Sequence, residues 1–179
     1  MEWRNGGGST REVFAWPPAS DLETFDWRVS VATIERDGPF SQFANVTRTA
    51  VLMDGAGVRL RSGARMVELL QPWAHATFDG AAQWQCELLE GLVHLFNVMA
   101  RRPVTAQVQV ALHADVEAPA ARHCVVYAAH DTSSLRLGGE RCDLAEGDAC
   151  IVTSGPAMPL SVSARGCALI TRIAAPAAS

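Results

Sequence analysis

The sequence predicts an all-β protein in which one sandwich- or barrel-like unit occurs twice. Three observations predict this. Apolar side chains alternate with polar ones along several short segments, turns rich in glycine and proline separate these segments, and a β-pattern recurs after about 75 residues. Short strands with such turns are typical of sandwiches and barrels.

The alternation with a period of two is the most direct sign of half-buried strands. In the first of these segments, Trp27 and Val29 fall on one face, whereas Arg28 and Ser30 fall on the other. We therefore predict strands in the segments 26–34, 83–88 and 105–112.

The segment 86–102 is the one stretch that resembles a long amphipathic helix. Gly91 interrupts it, and the β-branched residues Val93 and Val98 disfavour helix. We predict two strands here, separated by a turn.

A weak internal repeat relates residues 57–80 to residues 134–155. Both stretches run from a strand through a tight turn to a short strand that ends in leucine, then through a corner to a further strand and a glycine. The residues in register are Leu69 with Leu144 and Gly80 with Gly155. This outline is typical of cupin barrels, so we predict a bicupin with units at 1–103 and 104–179.

Composition limits the classes of function. The chain has 179 residues, with 15 arginines, no lysine and 19 acidic residues, so its net charge is −4. Positive and negative residues are interspersed along the chain, which does not favour nucleic acid as a partner. No signal peptide and no apolar run of membrane-spanning length is evident, so we expect a cytoplasmic protein with no membrane partner. The five scattered cysteines form no Cys-x-x-Cys pair and are interpreted as small core residues.

Several kinds of chemistry lack their motif. The glycine run in "WRNGGGSTRE" (3–12) has no lysine and no preceding strand, so it is neither a phosphate loop nor a dinucleotide fingerprint. The five histidines form no His-x-His pair, and no Gly-x-Ser-x-Gly elbow is present. We predict no metal site, no cofactor and no catalytic residue from these patterns. We interpret Gly6, Gly7 and Gly8 as backbone that passes where side chains do not fit, across the mouth of the first barrel.

Arg28 allows two interpretations. If the Trp27 face packs outward, Arg28 points into the barrel, where its guanidinium needs a carboxylate partner or an anionic ligand. If the sheet is solvated on the Arg28 face, the side chain is an ordinary surface arginine. Alternation alone leaves both open.

Four stretches together resemble one known family. They are "WRNGGGSTRE" (3–12), "FDWRVSVATIERDGPFSQF" (25–43), the run from Arg48 to Gly57, and "FNVMARR" (96–102). In order and spacing they are similar to the HutD/Ves family, bicupins associated with bacterial histidine utilisation. The chain departs from the family pattern at Arg4, Thr47, Ala81 and Leu95, three of which replace acidic residues.

The resemblance implies a non-enzymatic bicupin that binds an acidic intermediate of histidine degradation: urocanate, formiminoglutamate or formylglutamate. The alternative is a metal-independent cupin isomerase or hydrolase, with Glu12 as its general base. The partner expected is a small carboxylate, and homodimerisation is left open. The ligand-binding residues that the resemblance implies are Asn5, Thr10, Glu12, Trp27, Arg28, Ser30, Ser41, Arg48, Asn97 and Arg102.

Overall fold

The structure is a computed structural model that describes residues 1–3, 6–153 and 159–174. These residues form seventeen β-strands and no helix. The chain divides into two compact units, Met1–Arg102 and Pro103–Ser179. The prediction of an all-β protein is therefore confirmed.

The first unit consists of two sheets. Its five-stranded sheet has the strand order β1-β2-β9-β4-β7, and its four-stranded sheet has the order β3-β8-β5-β6. The strands are β1 Gly8–Trp16, β2 Trp27–Ile34, β3 Gly38–Pro39, β4 Val46–Asp54, β5 Val58–Ser62, β6 Arg65–Leu69, β7 His75–Asp79, β8 Gln85–Leu88 and β9 Val93–Arg101.

The described residues of the second unit repeat this arrangement, with no counterpart of β1 among them. Its two sheets have the orders β10-β17-β12-β15 and β11-β16-β13-β14. The strands are β10 Thr105–Leu112, β11 Asp115–Ala118, β12 His123–His130, β13 Ser133–Leu137, β14 Glu140–Leu144, β15 Ala149–Val152, β16 Leu160–Ala164 and β17 Cys167–Ala174. Strand for strand, the pairing order of the first unit recurs, which is the structural basis of the sequence repeat.

The predicted strands are confirmed, and so is one of the two residue pairs that defined the repeat register. The segment 86–102 holds the end of β8 and the whole of β9, with a turn that contains Gly91 at a φ of 62°. Leu69 and Leu144 end the corresponding strands β6 and β14. Gly155, the partner proposed for Gly80, lies outside the described residues.

Strand pairing leaves each unit as two facing sheets rather than one closed barrel. In the first unit, the inner faces of both sheets contribute to one hydrophobic core, for example through Leu52 and Leu95 from one sheet and Leu60 from the other. The second unit has its own core, to which Val126 and Val162 contribute from opposite sheets. Two packed sheets of this order form a jelly roll, the double-sheet version of the predicted barrel.

The glycine run has a different location from the one expected. Gly8 begins β1 and pairs with Ile34, at the end of β2 opposite to Arg28. A Cβ atom at Gly8 would overlap with the carbonyl oxygen of Thr33, so this position requires glycine for strand pairing. Gly6 has a φ of 64° but open space around it. The close approach is confirmed at Gly8, but it serves the β1–β2 pair rather than the polar end of the unit.

Among the described residues, no helix is long and apolar enough to cross a membrane.

Candidate functional site

The inner face of the five-stranded sheet changes from apolar to polar along its strands. Its apolar end belongs to the core, whereas its other end carries two adjacent polar rows. Because residues that pair across antiparallel strands share a face, the register assigns these rows directly. The first row is Arg28, Met99 and Arg48, and the second contains Ser30 and Asn97.

Arg48 is, like Arg28, a buried cation at this polar end. Its side chain has a relative exposure of only 7%. Its Nη1 donates to the carbonyl oxygen of Ser41 at 3.2 Å and its Nη2 to Oδ1 of Asn97 at 3.3 Å. The Nε–H is buried without an acceptor, and no carboxylate of the described residues is within ion-pair distance of Arg48. Within the part of the chain that the structure describes, the positive charge of Arg48 is thus held by neutral groups alone.

Three aromatic rings surround the Arg48 guanidinium. Its Cζ lies 4.9 Å from the ring centroid of Phe40, 5.8 Å from that of Phe43 and 5.5 Å from that of Phe78. The negative faces of such rings attract a cation and also keep water away from it. They stabilise Arg48 in part but leave the charge available for an anion.

Burial acts on the protonation of Arg48. Removal from water, and secondarily the nearby charge of Arg28, lower the pKa of Arg48 to about 10. The guanidinium is therefore cationic at neutral pH, although burial makes its charged form less favourable than it is in water.

Arg28 differs from Arg48 because it has an acidic partner. Its Nε donates to Oε2 of Glu12 at 2.8 Å, and its Nη1 donates to the hydroxyl of Ser30 at 3.4 Å. The Arg28 side chain is 8% exposed and that of Glu12 49%. Of the two interpretations of Arg28, the structure supports the inward one, with Glu12 as the carboxylate.

Asn97 orients Arg48 and is itself oriented. Its Nδ2 donates to the carbonyl oxygen of Leu95 at 3.3 Å, so its Oδ1 faces the Arg48 guanidinium. Leu95, one of the four departures from the family pattern named above, is fully buried in the core.

Four further residues of the ligand-binding set that the resemblance implies differ from that expectation in their contacts or their location. Thr10 accepts a hydrogen bond from Nε1 of Trp3 at 2.7 Å. Trp27 lies on the opposite face of β2, stacked on Trp16 with a centroid distance of 6.5 Å. Ser41 contributes its carbonyl oxygen, and Arg102 is an exposed residue that pairs with Asp79 at 3.1 Å. Asn5 lies outside the described residues.

Arg101, the neighbour of Arg102, forms three hydrogen bonds to backbone carbonyls. It donates to Phe25 at 2.9 Å, to Ala44 at 3.3 Å and to Glu23 at 2.9 Å. It therefore joins two loops to the end of β9 and is not free to bind an anion.

Sequence reasoning missed the aromatic ring set around Arg48. Phe40 and Phe43 fall within the stretch 25–43 that carries the family resemblance, but the sequence assigns no role at Arg48 to their rings or to that of Phe78. The register pairs Phe78 with Arg48 across β7 and β4, a pairing between strands that no local pattern reveals. The one signal in the sequence for the orientation of Phe78 was the polar–apolar alternation within "HATFD".

No group of three histidine, cysteine or acidic side chains in the described part of the chain is arranged to hold a metal ion. The buried thiols are unsuited to nucleophilic chemistry, since burial raises the pKa of Cys86 and of Cys167 to about 12.

A groove of about 910 Å³ lies on the second unit, and no predicted site residue lines it. It covers the outer face of the four-stranded sheet, where Ser134 and Ser163 pair. The corresponding pair in the first unit is Arg59 with Glu87, two long side chains that form an ion pair at 3.8 Å. Short side chains in place of long ones account for the groove.

Two jelly-roll units in tandem, each with the same strand order, define a bicupin, and the polar end of the first unit is its candidate binding site. The HutD family model matches residues 1–170, and the chain belongs to this family.

Relatives agree with this assignment. Protein Ves of Cronobacter sakazakii is 40% identical over 111 residues, which cover 61% of this chain and 60% of that protein. An uncharacterized Pseudomonas putida protein from the 3′ region of hutC is 37% identical over 99 residues, 55% of this chain and 52% of the relative. The matched regions thus span between half and two thirds of these relatives.

Solved structures agree with the fold. HutD from Pseudomonas fluorescens SBW25 has a TM-score of 0.80 at 29% identity, with 97% of this chain and 92% of that chain covered. A cupin 2 barrel protein from Leptotrichia buccalis has a TM-score of 0.60 at 8% identity, with 97% and 92% covered, and shows the fold alone.

Proposed function

We propose that the first unit binds a small carboxylate from histidine degradation at Arg48 and thereby modulates histidine utilisation. The observation that carries this proposal is the buried charge of Arg48, which has no acidic partner among the described residues. A buried cation held by neutral groups alone costs on the order of several kcal/mol. An anionic ligand offsets that cost and so takes the place of an internal salt bridge.

The donors of Arg48 suit a carboxylate. Its Nε–H lacks an acceptor, while the two terminal nitrogens hold Asn97 and Ser41 and keep further hydrogens. A carboxylate is recognised by two parallel N–H donors of a guanidinium. The hydrogen bonds to Asn97 and to the Ser41 carbonyl hold the fork in position before the ligand arrives, which lowers the cost of ordering it.

The surroundings of Arg48 strengthen such an interaction. Phe40, Phe43 and Phe78 exclude water from the guanidinium, and the attraction between opposite charges increases as the local dielectric falls. The same rings offer apolar contact to the carbon skeleton of a ligand. Entry is from the side of Ser41 and Glu12, the exposed members of the cluster.

Arg28 and Glu12 provide the selectivity of this site. Urocanate has one carboxylate and an imidazole, so it places its carboxylate on Arg48 and its ring N–H towards Glu12. Formylglutamate and formiminoglutamate each have a second carboxylate, which has to compete with Glu12 for Arg28. We therefore expect urocanate to bind more tightly than either glutamate derivative.

The test is isothermal titration calorimetry of the full chain with urocanate, formylglutamate and formate. Formate is a suitable minimal probe because the HutD structure from Pseudomonas fluorescens was determined in a formate condition. Arg48→Met should weaken urocanate binding at least about 30-fold, which corresponds to the roughly 2 kcal/mol of a charged hydrogen bond pair. Arg59→Met is the matched control because Arg59 lies on the outer face of the same unit, paired with Glu68.

Absence of binding to the wild type at millimolar concentrations, or equal affinity in Arg48→Met and wild type, would contradict the proposal.

A further inference from the structure

The second unit also places an arginine at the polar end of its inner face, but on a different strand. In the first unit, the polar row is Arg28, Met99 and Arg48 across β2, β9 and β4. The corresponding row of the second unit is Gln107, Arg172 and Cys124 across β10, β17 and β12. The first unit thus has its arginines on the two flanking strands of the row, whereas the second unit has one arginine on the central strand.

The correspondence of the rows follows from the register. Counted from the β-bulge that both central strand pairs contain, Leu95 matches Ala168, Asn97 matches Ile170 and Met99 matches Arg172. Ile170 and Cys124 belong to the core of the second unit, so this face points inward. Arg172 thus stands where a polar row meets an apolar core, as Arg48 does in the first unit.

Arg172 has an amide partner and no acid. Its Nη2 donates to Oε1 of Gln107 at 2.9 Å, and its Nε–H is buried without an acceptor. Within the described part of the chain, no carboxylate is in ion-pair distance of Arg172. Because Oε1 of Gln107 accepts from Arg172, the amide nitrogen of Gln107 is left to donate beside the guanidinium.

The neighbouring thiol does not neutralise this charge. Burial raises the pKa of Cys124 to about 11, although Arg172 acts in the opposite direction. Cys124 is therefore a neutral thiol at pH 7, and the row keeps the full positive charge of Arg172.

We propose that the second unit holds a second binding site for a small carboxylate, formed by the Arg172 guanidinium and the Gln107 amide. The Nε–H of Arg172 and the N–H of Gln107 donate to the two oxygens of the ligand. The cation at this end of the inner face is then a shared feature of both units, while the strand that supplies it differs. This site does not depend on Arg48.

The test is a titration of the full-length, ¹⁵N-labelled protein with sodium formate, with the arginine Nε–Hε signals observed by NMR. Sodium chloride at equal ionic strength is the control titration. We expect the Arg172 signal to shift with formate and to saturate. Arg172→Met assigns the signal, and methionine suits the position because Met99 occupies the matching one in the first unit.

Two further variants separate the sites. Arg48→Met should leave the formate affinity at Arg172 within about twofold, so failure of the first site and failure of the second are distinguishable. Gln107→Ala should weaken the Arg172 response at least about fivefold, and this variant carries the test even if Arg172→Met does not fold. An Arg172 signal that does not move, that moves equally with chloride, or that responds unchanged in Gln107→Ala overturns the proposal.

Discussion

Arg48 and Arg101 are two arginines of the first unit in opposite chemical situations. Arg101 donates three hydrogen bonds to backbone carbonyls, and its guanidinium also lies 4.9 Å from the Phe25 ring. Arg48 donates one hydrogen bond to a backbone carbonyl and one to the side-chain amide of Asn97, leaves its Nε–H unsatisfied and faces three rings. A satisfied arginine stabilises the fold, whereas an unsatisfied buried one is what a binding site retains at the expense of stability.

Glu12→Gln tests the selectivity that we assign to the Arg28–Glu12 pair. The variant removes the negative charge that occupies Arg28, so the second carboxylate of formylglutamate gains a partner. We expect the affinity for formylglutamate to rise at least about fivefold, while that for urocanate falls because its ring N–H loses a charged acceptor, as measured by calorimetry.

The control for this variant is Glu68→Gln, which removes the partner of a surface arginine on the outer face of the same unit. If the ratio of the two affinities stays at its wild-type value in Glu12→Gln, Glu12 does not determine selectivity.

At the scale of single residues, alternation predicted which side chains share a face with Arg28 but not whether that face is buried. Both faces of β2 are in fact buried, since Trp27 and Val29 are as inaccessible as Arg28 and Ser30. A period of two distinguishes the faces of a strand only by polarity. The partner of Arg28, by contrast, lies on the neighbouring strand β1, where Glu12 pairs with Ser30.

At the scale of elements, β9 is the strand on which the site and the loops both depend. It pairs with β2 on one side and with β4 on the other, so it brings Arg28 and Arg48 to one row. Its last residue, Arg101, holds the loops before β2 and before β4. The sequence around the adjacent residues Arg101 and Arg102 does not reveal that Arg101 donates to carbonyls 76 and 78 residues away.

Arg101→Met should therefore destabilise the first unit by about 2 kcal/mol or more, because three carbonyls lose a charged donor. Arg102→Met is its matched control: the side chain is 54% exposed and forms a surface ion pair with Asp79, so we expect less than about 1 kcal/mol. Urea unfolding followed by tryptophan fluorescence measures both. Equal losses in the two variants would show that the Arg101 carbonyl contacts do not stabilise the fold.

At the scale of the whole molecule, the repeat conserves strand order but not the polar residues. The hairpin β5–β6 and the hairpin β13–β14 have equal lengths and end in matching leucines, which is why the repeat was visible in the sequence. The polar ends differ because pairing between distant strands, not local pattern, decides which side chains meet there. The fold was consequently predictable from turns and periodicity, whereas the ring set around Arg48 and the Gln107–Arg172 pair were not.

The five cysteines provide a prediction that covers both units. Burial raises the pKa of Cys86, Cys124 and Cys167 to about 12, 11 and 12, so these thiols are protonated at pH 8 and shielded from reagents. Cys142 and Cys150 are only partly buried. Reaction with a disulfide reagent at pH 8, followed by mass spectrometry, should modify these two first and the other three only after unfolding. Rapid modification of Cys86 or Cys167 in the folded protein would contradict the burial described here.

The most direct test of the central claim is a crystal structure of the protein with urocanate. We predict that the ligand carboxylate lies within about 3.2 Å of the Arg48 guanidinium, a normal hydrogen-bond distance, with the rings of Phe40, Phe43 and Phe78 around it. Electron density for urocanate elsewhere in the first unit, or an Arg48 guanidinium that remains without an anion at saturating urocanate, would contradict the account.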